Sequence, residues 1–202
     1  MRIGLFGGTF DPVHHGHLIM AERCREDAKL DAVWFVPSYR PPHKTDRAVT
    51  RFESRVEMLQ LAVASQPLFR IEQIEKELPP PSYTVETVAA LQAKHPEHAW
   101  ELIVGGDVLP DLAHWLQPQR LLSLTSLLVV PRPGTPLLSA DQLAVLLKMP
   151  RDGVRLTTVI SPPIDIASRE IRTRVGRGQT IRFMLPRAVE EYIREKKLYA
   201  AT

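Results

Sequence analysis

The chain has 202 residues, 44% hydrophobic and 24% charged, with a formal net charge of +3. That suffices for one α/β domain with a sizeable core, and the basicity is too slight to argue for a nucleic-acid surface. No apolar run approaches the roughly 18 residues that span a bilayer. A single cysteine, Cys24, excludes an intrachain disulfide and a cysteine-rich metal site. The short first apolar run, with glycines and a charged helix after it, does not read as a signal peptide. The expectation is a cytoplasmic protein with no membrane or nucleic-acid partner; a homo-oligomer is left open.

Ile3 to Phe6 reads as a buried strand, broken by Gly7 and Gly8. A polar turn leads through His14-x-Gly16-His17 into a first helix over 16–29. Ala32 to Val36 is a second buried strand. A proline-restricted loop, 37–44, follows it and carries Arg40, His43 and Lys44. Thr50-x-x-Glu53 reads as a capping box, with Phe52, Val56, Leu59 and Val63 at helical spacing behind it. Phe69 to Ile74 reads as a strand and Pro79-Pro80-Pro81 as irregular loop. Thr84 is the expected N-cap of a helix that ends before His95-Pro96. Trp100 to Val104 is a strand closed by Gly105-Gly106-Asp107. Short helical pieces over 108–123 surround His114-Trp115. Leu127 to Val130 is a strand ending in Pro131-Arg132-Pro133-Gly134. A helix over Asp141 to Lys148, a strand over Val154 to Val159, and helices over Ser168 to Val175 and 187–196 complete the chain.

Strands alternate with helices throughout, which predicts a single α/β domain: a Rossmann-like, doubly wound parallel sheet with both faces covered. Ligands of such sheets bind outside the carboxyl ends of the strands. The residues just after each strand should therefore converge. At the first of these ends, a strand, a glycine-rich turn and a helix N-terminus form a phosphate cradle. His14 and His17 add donors on one side of the first helical turn. The turn is neither a P-loop nor a G-x-G-x-x-G loop. A second anion site is expected at Ala167-Ser168-Arg169-Glu170-Ile171-Arg172, with Ser168 as N-cap and Arg172 one turn on. Taken alone, that segment reads better as a capped surface helix with solvated arginines.

Gly7-Gly8-Thr9-Phe10-Asp11-Pro12 followed by His14-x-Gly16-His17 resembles the signature of the nucleotidyltransferase superfamily. Ile166 to Arg172 is similar to its Ile-Ser-Ser-Thr-x-Ile-Arg motif. Between them, four segments resemble bacterial nicotinate-nucleotide adenylyltransferases in order and spacing. These are Pro41-Pro42-His43-Lys44, Ser82-Tyr83-Thr84-x-x-Thr87, Gly105-x-Asp107 with Trp115, and Arg132-Pro133-Gly134. The ending, from Leu185-Pro186 to Leu198-Tyr199, resembles that family as well. The likeness covers essentially the whole chain. It implies transfer of AMP from ATP to nicotinic acid mononucleotide, giving deamido-NAD and pyrophosphate. It further implies ATP contacts from Gly7, Gly8, Thr9, Phe10, Gly16, Gly105, Asp107, Ser168 and Arg172. His14 and His17 would act at the α-phosphate. His43, Lys44, Tyr83, Thr84, Trp115 and Arg132 would meet the mononucleotide. Mg²⁺ would be held mainly by phosphates and water, with no protein ligand required.

The chain departs from the superfamily pattern at Ala167 and Arg169, which replace a Ser and a Thr. The alternatives are an adenylyltransferase for another phosphorylated substrate, such as phosphopantetheine, and a non-catalytic nucleotide-binding module. Ser82-Tyr83-Thr84, Trp115 and Arg132-Pro133-Gly134 argue against the first. The retention of His14, His17, Ser168 and Arg172 argues against the second.

Overall fold

A computed structural model describes residues 1–41, 49–132, 134–162 and 164–200. Its centre is a six-stranded sheet in the order β3-β2-β1-β4-β5-β6, parallel throughout. The strands are β1 (Arg2–Gly8), β2 (Ala32–Pro37), β3 (Phe69–Ile71), β4 (Ala99–Gly105), β5 (Ser126–Val130) and β6 (Leu156–Thr158). The helices are α1 (His15–Asp27), α2 (Phe52–Val63), α3 (Thr84–Lys94), α4 (Pro118–Leu124), α5 (Ala140–Leu147), α6 (Ser168–Gly176) and α7 (Arg187–Glu195). The doubly wound parallel sheet expected from the sequence is therefore present.

The strands are near-continuous apolar runs because both faces of the sheet are buried. Successive side chains feed opposite layers. Ile3, Leu5, Trp34, Val36, Leu102 and Val104 pack beneath α3, α4 and α5. Phe6, Val33, Phe35, Ile103, Leu128 and Val130 pack beneath α1, α2, α6 and α7. The chain builds outward from β1 in one direction through β2 and β3. It then crosses back to build β4, β5 and β6 on the other side. Right-handed crossovers running in opposite directions place their helices on opposite faces and leave a crevice where the direction reverses. Here that point lies between β1 and β4, where Leu5 pairs with Leu102.

Several boundaries differ from expectation. β3 stops at Ile71, and Ile74 belongs to a 3-10 turn over Ile74–Lys76. The region around His114 is a 3-10 segment, Gly106–His114. The capping box at Thr50 does not form. Arg51 is the N-cap of α2 without a side-chain cap bond, and the Thr50 carbonyl instead accepts from Arg55 Nε at 2.9 Å. Thr84 is the first residue of α3, with Tyr83 at the cap position. Cys24 is fully buried on α1. Burial pushes its thiol up to about 12, so it is an inert packing residue.

Gly4 shows how closely the layers meet. A Cβ there would lie 2.6 Å from Leu30 Cδ1 and 2.9 Å from Ile103 Cδ1. Gly4→Val should cost about 1–3 kcal/mol through overpacking. The expected observation is a lower urea midpoint at unchanged m value; an unchanged midpoint would contradict this packing.

Candidate active site

The N-terminal turn is built around Phe10. After Gly8 the backbone reverses, with Phe10 at φ 49° and its ring 2% exposed. The ring meets Phe6 at 5.5 Å and His17 at 5.0 Å, edge-on in both cases. A Cβ on Gly8 would approach that ring to 2.9 Å, whereas one on Gly7 would meet nothing within 4 Å. Gly8 thus makes room for the turn's own anchor, and Gly7 leaves the cavity wall open to a ligand.

His14 caps α1 and His17 lies one turn in. Their rings stack at 3.7 Å between centroids. Gly16 permits this, since a Cβ there would sit 3.0 Å from His14 Nδ1. The His14 amide donates to His17 Nδ1 at 3.3 Å. With that nitrogen accepting, a neutral His17 carries its proton on Nε2 and is a donor there. His14 is 3% exposed. Burial first, then the charges of Arg132 and His15, bring its pKa down to about 3. At neutral pH it is therefore an uncharged imidazole, until an anion arrives to favour the charged form.

The start of α6 closes on the same turn. Ser168 is the first helical residue; Ala167 holds the cap position. The Ser168 hydroxyl donates to the Pro12 carbonyl at 2.9 Å, and Arg172 Nη1 donates to the Asp11 carbonyl. The hydroxyl thus ties α6 to the turn and does not cap its own helix. The Asp11 carboxylate accepts from the Tyr199 hydroxyl at 2.7 Å, fastening the C-terminal segment to the same point.

At the ends of β4 and β5, Asp107 Oδ1 lies 3.3 Å from Arg132 Nε. A Cβ at Gly105 would overlap that carboxylate. Two openings flank the turn. The larger, about 420 Å³, is lined by Gly7, Gly8, Thr9, Tyr83, Thr84 and Trp115 among others. The smaller, about 30 Å³, is lined by His14, Gly16, His17, Arg132, Ile164 and Ile166 among others. Tyr83 and Trp115 also pack on the core, so each ring has one side in the protein and one in the cavity. His43 and Lys44 fall outside the described residues.

Two residues were absent from the sequence expectation. Arg55 of α2 is 1% exposed. It donates to the carbonyls of Thr50 at 2.9 Å, Thr9 at 2.7 Å and Ser38 at 2.7 Å. Glu75 is buried beside it, and burial raises its pKa. It accepts from the Tyr39 amide and the Thr87 hydroxyl, both at 3.0 Å. The signal for Arg55 was present: with Phe52, Val56 and Leu59 it occupies the buried face of α2 at spacings of three and four.

The cytidylyltransferase-like family model matches residues 5–174. A probable nicotinate-nucleotide adenylyltransferase of Thermus thermophilus is 42% identical over 199 residues, covering 98% of this chain and 100% of that protein. The chain belongs to the nicotinate-nucleotide adenylyltransferases. A relative of the same description from Geobacillus thermodenitrificans is 42% identical over 200 residues, covering 99% of this chain and 87% of that one. The solved Plasmodium falciparum nicotinic acid mononucleotide adenylyltransferase, in complex with NaAD, shares the fold. Its TM-score is 0.80 at 18% identity, over 98% of this chain and 97% of that one. The turn from Gly7 to His17 lines both openings, one on each side of the switch point.

The low pKa of His14 gives stability a pH dependence of known sign. The unfolded residue binds a proton below its ordinary 6.5, whereas the folded one does so only below about 3. Its contribution is complete above 6.5 and is lost as pH falls through that window, by up to about 1.4 kcal/mol per pH unit. In urea titrations between these limits, His14→Asn should flatten the fall. Identical slopes in both proteins would rule out a buried neutral His14.

Proposed function

We propose that this chain transfers the adenylyl group of ATP to nicotinic acid mononucleotide. A phosphate oxygen of the mononucleotide attacks the α-phosphorus of ATP in line. The bond to the α–β bridging oxygen breaks, and deamido-NAD and pyrophosphate leave. The full-length identity to the adenylyltransferases carries this reading, and the arrangement of the cleft is consistent with it. The substrate supplies the nucleophile, so the protein need only position the reactants and stabilise charge.

In this reading Thr9 and Phe10 offer backbone amides to phosphate, with Gly7 and Gly8 allowing close approach. His17, with its donor at Nε2, and His14 face the α-phosphate. An anion beside His14 raises its pKa and strengthens its donation as charge develops. Ser168 and Arg172 meet the departing pyrophosphate. Their present bonds to Pro12 and Asp11 place both groups next to the phosphate turn. Asp107 serves the ribose, in exchange for its partner Arg132, which then joins the phosphates. The pyridine ring enters the larger cavity against Trp115 and Tyr83, and its carboxylate meets the amides of Thr84 and Val85, which helix geometry leaves without intrahelical acceptors. His43 and Lys44 would meet the mononucleotide phosphate.

The cleft offers imidazoles, hydroxyls, amides and guanidinium groups, and its carboxylates already have partners: Asp11 accepts from Tyr199, Asp107 faces Arg132, and Glu75 accepts from the Tyr39 amide and the Thr87 hydroxyl. That donor set suits Mg²⁺ held by triphosphate oxygens and water rather than by a protein cage. Bound in that way, the ion neutralises phosphate charge.

The test is pyrophosphate release from ATP and Mg²⁺ with nicotinic acid mononucleotide, its amide counterpart or phosphopantetheine. Release that depends on the nicotinic acid mononucleotide is expected; its absence overturns the reading. His17→Ala should lower kcat by roughly 10²–10³ with the fold retained. Unchanged turnover removes His17 from the mechanism.

A further inference from the structure

The turn joining α3 to β4, His95-Pro96-Glu97-His98, lies at the end of the sheet opposite the cleft. The seven residues of β4 separate the two, about 20 Å at ~3.3 Å per residue. The His95 amide donates to the Leu91 carbonyl at 2.9 Å, and the His98 amide to the His95 carbonyl at 3.2 Å. This tight turn lays the two imidazoles nearly parallel, 8° apart with centroids 5.5 Å from each other. Both stand edge-on to the indole of Trp34, at 5.3 and 5.9 Å, and His98 also leans on Trp100 at 5.6 Å. The packing fixes the rings before any ligand arrives.

Between them sits the Glu97 carboxylate. Its Oε1 is 3.7 Å from His95 Nδ1 and 3.4 Å from His98 Nδ1. One ligand atom from each of the three residues lies within 4.8 Å of the others. Yet His98 Nδ1, the nitrogen that faces this carboxylate, is buried without a hydrogen-bond partner. A buried nitrogen facing a carboxylate oxygen without sharing a proton is an unusual arrangement. A cation between the two atoms satisfies both. Tetrahedral Zn²⁺ with N and O ligands at 2.0–2.1 Å separates them by about 3.4 Å, close to the spacing here. Two neutral imidazoles and a carboxylate suit Zn²⁺ better than Mg²⁺ or Ca²⁺, which prefer all-oxygen shells. Three protein ligands leave the fourth position to water. Glu97 is 61% exposed on its side chain, which gives an ion a route in from solvent.

We propose that His95, Glu97 and His98 form a binding site for one Zn²⁺ ion, completed by water, that pins the end of α3 to the start of β4. Preordered rings reduce the entropy lost on binding. The site is remote from the cleft, so the ion acts on stability and not on the transfer step. An ion that binds the folded chain alone raises its melting temperature by mass action.

The experiment titrates ZnCl₂ into chelator-stripped protein, read by competition with a chromophoric chelator and by thermal melting. The expected result is one Zn²⁺ per chain, with a Kd on the order of micromolar and a higher Tm. Glu97→Gln and His98→Gln should each weaken binding by at least about tenfold and abolish the Tm rise. Glu97→Gln alters an exposed side chain, so it separates loss of the ligand from loss of the fold. Three results overturn the proposal: no saturable binding to the parent chain, binding unchanged in both variants, or binding lost only in His17→Ala, which would place the ion in the cleft.

Discussion

A single buried guanidinium holds the candidate site in shape. Arg55 reaches from α2 to the carbonyls of Thr9 and Ser38, which follow β1 and β2, and to the carbonyl of Thr50 at the start of its own helix. Strands bring loops near one another, but loops need their own ties to present a fixed geometry. Here two charge-assisted bonds join the glycine turn to the neighbouring loop from beneath, and the third anchors the guanidinium to its own helix start. Burial lowers the pKa of Arg55, and the charges of Asp11, Tyr199 and Glu75 oppose that; an arginine remains charged regardless. Removing one partner of such a buried charge is expensive, because the others are left unsatisfied.

From above, the same turn is held by α6 and the segment after α7. Ser168 bonds Pro12, Arg172 bonds Asp11, and Tyr199 bonds the Asp11 side chain. Residues from the C-terminal part of the chain thus fix one short loop near its start, which sits where the sheet changes direction. Because that point opens toward both faces, one turn can serve a wide apolar cavity on one side and the stacked histidines on the other. The division suits the proposed reaction between two nucleotides, in which the ring of one would enter the broad opening and the triphosphate of the other would lie along the histidines.

Much of this was legible from the sequence because apolar runs of four or five residues, punctuated by glycine and proline, carry little ambiguity. The parallel sheet, the glycine turn and the His14–His17 pair followed from that pattern. The capping roles assigned to Thr50, Thr84 and Ser168 did not survive. A hydroxyl near a helix start can bond its own helix or a distant carbonyl, and only the tertiary arrangement decides which. For Ser168 the distant partner, Pro12, is 156 residues away. For Arg55 the helical spacing marked a buried position but not its role: a charged residue on an apolar helix face has no meaning until its acceptors are known. Those acceptors are backbone carbonyls, which leave no trace in residue identity. The turn at His95 to His98 read only as a helix terminus, since its geometry depends on Trp34 from another strand.

The most direct measurement is kcat/KM for adenylyl transfer in Arg55→Met and Arg55→Lys, with circular dichroism and melting recorded on the same preparations. If Arg55 positions the phosphate turn, Arg55→Met should lose at least about tenfold in kcat/KM while still folded at the assay temperature. Arg55→Lys, which keeps the charge but not the three-way fork, should recover only part of that loss. A folded Arg55→Met with turnover equal to that of the parent chain would contradict the idea that this buried tie sets the geometry of the site.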